Sequence, residues 1–312
     1  MSDVVSPAPP TLVVGAGGFL GRAVTRATRA TGAEVVAAAV PWSDPDAAVS
    51  ALVDAVRSVR RVDGPWRILW CAGTGVVATG ADVFAAEQDI LARVLATTVD
   101  DPAAPGSLFF ASSAGAVYAG CRNAPFSEDT EPAPLAPYGR AKLAVEQQFR
   151  DWATTTGTRL LVGRISNLYG PGANLGKAQG LVSQLALAHL EGRPSSIYVP
   201  MTTTRDYLYI DDAAAMVLDA LDLVDTHAPG TATTKILASG QPATIAEVVA
   251  TVQDAVGEPI DVRDGADPSA TFQGLDLRFR STVLPSVDDR AFLPFDTGVA
   301  RTVASLRAEH RV

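Results

Sequence analysis

Residues 13–23 read VVGAGGFLGRA, an apolar run that ends in glycines at positions 15, 18 and 21. The run from Thr11 predicts a buried strand, and GRAVTRATRATG, closed by Gly32, predicts a helix. The glycines between them divide the work. Gly15 permits a tight turn, Gly18 lets a ligand approach the backbone, and Gly21 lets the helix pack closely on the strand. The free N–H groups and positive pole of a helix starting at Phe19 then suit a pyrophosphate. Such spacing also occurs in plain packing turns. Its place, after the first strand and at the opening of the first helix, is what points to a dinucleotide.

Outward from this loop, strands and helices alternate. AEVVAAAV (33–40) predicts a second strand halted by Pro41, followed by a helix over 46–60 and a strand, RILWCAG, over 67–73. A helix over 82–98, the strand SLFFASS (107–113), a helix over 137–156 and the strand RLLVGRIS (159–166) complete the series. These strands are apolar runs without two-residue alternation, as expected of a parallel sheet covered on both faces. The fold class predicted is α/β, a doubly wound parallel sheet of the Rossmann type with a smaller C-terminal substrate-binding region. One strand of the usual six or seven is missing between the second strand and RILWCAG. Beyond Gly170 the texture changes to YGPGANLGKAQG. The expected organisation is a disordered lead-in over 1–10, a dinucleotide-binding domain over 11–168, and a substrate-binding region over 169–312. Part of that last region is expected to return to the Rossmann sheet.

The 312 residues are 47% apolar and 19% charged, enough for a large core, and the formal charge of −9 argues against a nucleic-acid partner. Cys71 and Cys121 alone give no disulfide framework, which fits a reducing, cytoplasmic setting. No stretch reaches the ~18 apolar residues of a membrane span, and MSDVVSPAPP has no signal-peptide pattern. The scattered His189, His227 and His310, without cysteines at ligand spacing, predict no metal site. Trp66 and Trp70 are expected in the core.

A second constellation is APYGRAKLAVEQQ, in which Tyr138 and Lys142 stand four apart and share a helix face. A lysine ammonium near a phenol stabilises the phenolate, so Tyr138 can act as general base toward a sugar hydroxyl or as acid toward a ketone.

The pairing of GAGGFLG with YGRAK resembles the extended short-chain dehydrogenase/reductases, the NAD-dependent epimerase/dehydratase group that acts on nucleotide sugars. SSAGAVYAG (112–120), GRISNLYGPG (163–172) and RDYLYIDDAA (205–214) follow in family order, and the resemblance runs from about residue 11 to about residue 222. It implies that Tyr138 and Lys142 are the catalytic acid/base and its partner, with both touching the cofactor. It further implies that Gly15, Gly18, Phe19, Leu20 and Gly21 line the pyrophosphate, that Ala72 and Gly73 border the cofactor, and that Ile165 lies at the nicotinamide side. Asn167 is expected to face the sugar nucleotide and Arg205 to clamp its diphosphate, a task suited to a guanidinium fork. Asp212 is expected to be structural.

The chain departs from the family pattern in three places. Ala114 stands where relatives carry a Ser or Thr that hydrogen-bonds the reacting oxygen, leaving Ser113 and then Ser112 as candidate catalytic hydroxyls; both serines could instead merely cap the strand end. No acid ends the second strand, so NADP joins NAD as an option; Asp44 could reach the ribose, and Arg22 could meet a 2′-phosphate. Glu87 replaces an Asn that braces the loop.

These features predict an NAD(P)-dependent epimerase or ketone reductase acting on a nucleotide-diphosphate hexose, with NAD slightly favoured by the resemblance and a homodimer as a further expectation. Dehydration is the weakest outcome, since Gly115 and Ala116 stand where eliminating relatives carry an Asp–Glu pair. A cofactor-binding regulatory or sensor protein with weakened catalysis is the alternative.

Overall fold

The computed structural model describes residues 8–60, 63–73, 75, 80–176 and 180–310. Its elements in order are β1 (Thr11–Val14), α1 (Phe19–Ala30), β2 (Val35–Ala38), α2 (Pro45–Val59), β3 (Arg67–Trp70), α3 (Ala81–Thr98), β4 (Ser107–Ser113), α4 (Ala114–Val117), α5 (Pro137–Thr156) and β5 (Arg159–Ile165). The remainder comprises β6 (Asn167–Tyr169), α6 (Leu181–Leu190), β7 (Ser195–Ile197), β8 (Thr204–Tyr209), α7 (Ile210–Val224), β9 (Ala232–Leu237), β10 (Pro242–Thr244), α8 (Ile245–Val256), β11 (Val262–Asp264), β12 (Asp276–Leu277) and α9 (Phe295–His310).

The central sheet runs β2-β1-β3-β4-β5-β9, every pair parallel. Its strands are continuously apolar because each face is covered. Val13, Leu69, Phe109 and Leu161 point to one side and pack with Leu20 and Val24 of α1 and Met216 and Val217 of α7. Their neighbours Leu12, Ile68, Leu108 and Leu160 point to the other and meet Leu52 of α2, Leu91 of α3 and Phe149 of α5. Trp66 and Trp70 are buried in this second layer. The fold is the expected doubly wound one. Chain direction across the sheet reverses between β1 and β3, and a ligand cleft forms outside the strand ends at such a switch point.

The strand missing from the sequence reading is β9. It lies far beyond the first half of the chain and pairs with β5 from Leu160↔Ala232 to Ile165↔Leu237. The layer is also completed late, since α7 packs on α1. The remaining elements form a smaller layer around β8, which pairs with β6, β10 and β12, with α6, α8 and α9 packed alongside. Of the lead-in expected over 1–10, residues 1–7 lie outside the described residues, whereas the Pro10 carbonyl accepts the Arg67 N–H and the Pro9 carbonyl accepts the Thr11 hydroxyl. No helix among the described residues is long and apolar enough to cross a membrane.

Candidate active site

The loop after β1 is shaped by its glycines. Gly15 has φ +86°, and a Cβ there would lie 2.7 Å from the Ala72 nitrogen, so β1 and β3 approach too closely for a side chain. A Cβ on Gly21 would lie 2.0 Å from the Gly15 carbonyl oxygen, which shows how tightly α1 is seated on its loop. Gly18 differs: a Cβ would touch only the Gly15 oxygen, at 3.2 Å, and otherwise project into open space. As the N-cap of α1, Gly18 has no side chain to satisfy the helix's first N–H groups, and the first turn carries no acid. Those donors and the positive pole are left for an anion. Gly18, Phe19 and Leu20 line a cleft of about 1140 Å³, and Ala72, Gly73 and Ile165 line the same cleft. The residues present therefore fit a dinucleotide pyrophosphate.

Tyr138 and Lys142 enter this cleft from α5. Pro137 starts the helix with its fixed φ, which places Tyr138 in the first turn. The Lys142 ammonium donates to the Ala111 carbonyl at 2.9 Å and lies 4.9 Å from the Phe110 ring centroid and 5.7 Å from that of Tyr138. Phe84 of α3 supports the phenol from the side, with ring centroids 5.8 Å apart.

Both candidate serines line the cleft, but their hydroxyls have different partners. Ser112 is 4% exposed, and its hydroxyl donates to Glu146 Oε1 at 2.5 Å. Ser113 lines the cleft and caps α4, its oxygen accepting the Ala116 N–H at 3.3 Å, which leaves its own proton to donate. Ala114 is fully buried inside α4.

Arg205 on β8 lines the same cleft and is 7% exposed. It donates to the Thr204 carbonyl at 3.0 Å and Gln273 Oε1 at 3.3 Å, and burial lowers the basicity of its guanidinium. It forms no ion pair among the described residues: Asp276 acts on it only at longer range and is itself bonded to Arg278. Asn167 also lines the cleft, and its Nδ2 donates to the Asp206 carbonyl at 3.0 Å. Asp206 itself is buried, which pushes its carboxyl up, while Ser166 and Ser239 hydrogen-bond to it. Asp212 accepts the Leu293 N–H at 2.9 Å and so ties α7 to the C-terminal segment. Cys71 also lines the cleft; burial pushes its thiol up to about 12, so it stays protonated and inert.

Two side chains considered for the cofactor already have protein partners. Asp44 caps α2, accepting the Ala47 N–H at 3.1 Å. Arg22 donates to the carbonyls of Gly17 and Gly172. Glu87 is half-buried on α3 and lines the cleft. Among the described residues no His/Cys/Asp/Glu group could hold a metal ion.

The sequence profile of the NAD dependent epimerase/dehydratase family matches residues 11–233. The chain belongs to this family. A UDP-glucose 4-epimerase of Azospirillum brasilense is 29% identical over 316 aligned positions, which take in 88% of this chain and 87% of the relative. A dTDP-4-dehydro-6-deoxyglucose reductase of Escherichia coli is 26% identical over 65% of this chain and 62% of its own length. Among solved structures, the Thermus thermophilus UDP-glucose 4-epimerase complex with NAD superposes with a TM-score of 0.79 at 22% identity, covering 96% of this chain and 99% of that one. MoeE5 in complex with UDP-glucose and NAD gives 0.79 at 23% identity, with the same coverage. These similarities establish the shared fold. The named relatives of the family are enzymes, and none supports a regulatory role.

Sequence reasoning missed a buried network beneath the site. Arg164 of β5 grips Glu146 of α5 through two bonds, Nε to Oε1 at 3.1 Å and Nη2 to Oε2 at 2.8 Å. Arg164 Nη1 also donates to the Tyr118 hydroxyl at 2.6 Å. With Ser112 this network joins β4, the Tyr118 cap of α4, α5 and β5. Two signals were available: Glu146 stands one turn beyond Lys142 on the same face, and Arg164 is a charge inside an otherwise apolar strand.

The open geometry at Gly18 makes a prediction. Gly18→Val should keep the fold, since its Cβ would meet only the Gly15 oxygen within 4 Å, yet weaken dinucleotide affinity at least about tenfold by filling the pyrophosphate's approach. Calorimetric titration with NAD, set beside a melting curve, checks both halves; unchanged affinity would make the loop a packing turn.

Proposed function

We propose that this protein is an NAD(P)-dependent epimerase of nucleotide-diphosphate hexoses. The observation that carries the reading is the meeting, in one cleft, of the glycine loop, the Tyr138–Lys142 pair and Arg205, which forms no ion pair among the described residues. The near full-length similarity to a 4-epimerase favours epimerisation over net reduction.

In this reading Arg205 holds the substrate diphosphate, where its guanidinium gains the anion it lacks. Asn167 orients the nucleotide sugar, and Tyr138 removes the proton of a ring hydroxyl as the adjacent carbon gives up hydride. The dinucleotide, when bound, supplies the hydride acceptor and donor. Lys142 stabilises the negative charge on the Tyr138 oxygen before the proton is taken and after it is given back, the oxygen being protonated in between. Tyr138 then returns its proton to the oxygen once hydride has been restored to the opposite face. Ser113 donates its hydroxyl proton to the reacting oxygen in place of the residue lost at position 114. Ser113→Ala should therefore lower kcat roughly 10²- to 10³-fold, on the scale of one oxyanion donor, with the melting temperature nearly unchanged. Full activity in that variant would leave Tyr138 working alone.

The deciding experiment incubates the enzyme with UDP-, dTDP- and GDP-hexoses and their 4-keto forms, with NAD(H) and NADP(H). Interconversion of sugar epimers without net change in nicotinamide absorbance supports the proposal. Stoichiometric NAD(P)H consumption on a keto sugar would replace it with a reductase. Inactivity across the panel with tight dinucleotide binding would favour a sensor.

A further inference from the structure

The three arginines of α1 have different electrostatic settings. Arg29 lies in the last turn, where the helix's negative pole suits a cation. Arg26 pairs with Asp211 at 2.6 Å. Arg22 has neither advantage. It stands one turn from the N-terminus, close to a positive pole that opposes it, in a helix whose first turn carries no acid.

Its partners are all main-chain carbonyls. Nη1 donates to the Gly17 oxygen and Nη2 to the Gly172 oxygen, and Arg22 forms no ion pair among the described residues. Two bonds leave the other N–H groups of the fork unused. The side chain lines the cleft beside Gly17, Gly18 and Phe19. Gly17 belongs to the glycine loop, whereas Gly172 opens a separate segment whose Ala173, Asn174 and Leu175 line the same cleft. The guanidinium thus spans the mouth of the phosphate cradle, from the dinucleotide half to the substrate half. An uncapped helix pole and a cation without a counter-ion concentrate positive charge in one place, and an anion there would offset both.

The position also selects which anion. A 2′-phosphate would sit at the end of β2, on the adenosine side, whereas Arg22 is held by the Gly17 carbonyl of the glycine loop and the Gly172 carbonyl of a separate turn. We propose that Arg22 engages the pyrophosphate of the dinucleotide while strapping the phosphate loop to the Gly172 turn. This rests on the dinucleotide-binding reading above and adds to it a side-chain contact in a cradle otherwise made of backbone.

The test is isothermal titration of wild type, Arg22→Met and Arg22→Lys with NAD, NADP, ADP-ribose and adenosine. Methionine keeps a long stem and good helix propensity, and melting curves establish that each variant is folded. In Arg22→Met, affinity for NAD, NADP and ADP-ribose should fall by a common factor of about 10–100, the scale of a charge-assisted hydrogen bond, with adenosine unaffected. Arg22→Lys should recover part of the loss, because it keeps the charge but not the fork. Unchanged NAD affinity would reduce Arg22 to a loop strap, and a loss confined to NADP would place it at the 2′-phosphate; either overturns the proposal. Failure of wild type to bind any dinucleotide would instead overturn the reading on which it rests.

Discussion

Tyr138→Phe is expected to bind NAD within about twofold of wild type and to lose roughly 10²- to 10⁴-fold in kcat. The substitution removes one oxygen and keeps the ring that packs 5.8 Å from Phe84, so the cleft wall survives. Lys142 stays tethered to Ala111, since that bond does not involve the phenol. Only the proton-transferring group is lost. Single-turnover assays on the active nucleotide sugar, paired with a cofactor titration, measure the two effects separately. A variant retaining more than half of the wild-type rate would remove Tyr138 from the chemistry, and a parallel loss of cofactor binding would recast it as a binding residue.

The second large effect concerns stability. Glu146 and Arg164 have side chains 3% and 8% exposed, and each is the other's only opposite charge within ion-pairing distance among the described residues. Glu146→Leu would leave the Arg164 guanidinium buried with only the Tyr118 hydroxyl for company. Breaking such a pair costs roughly 3–5 kcal/mol, whereas replacing both charges by apolar groups of similar volume is often neutral. Thermal unfolding should therefore show Glu146→Leu strongly destabilised and the double variant Glu146→Leu/Arg164→Met restored to near wild type. If the single variant loses less than about 1 kcal/mol, water reaches the pair and the interior there is not dry.

What could be read in the sequence was local. The glycine loop, the Tyr138–Lys142 spacing and the apolar strands each declare themselves within a few residues, because turn geometry, helical period and burial act over that range. The doubly wound sheet followed from their order. The role of Ser112 was hidden, since its hydroxyl answers to Glu146, 34 residues away. Arg22 was equally opaque, with one partner 150 residues on. β9 was missed for a related reason. ATTKIL reads as half polar, yet Lys235 is 0% exposed, its ammonium satisfied by Ser281, the Val283 carbonyl and Asp288. No window on the strand itself contains those partners.

The late return of β9 bears on how the chain is made. While residues up to Ile165 emerge during synthesis, β5 is an open edge with unpaired N–H and C=O groups, apolar on both faces and ready to template another strand. It stays open until Leu237 has followed, so closure is a long-range event that a growing chain completes slowly. A fragment ending near residue 168 would carry the whole glycine loop and the Tyr138–Lys142 pair, yet expose that edge and the face of α1 that α7 covers. The half of the molecule that holds the Tyr138–Lys142 pair therefore depends for its solubility on the half that follows it.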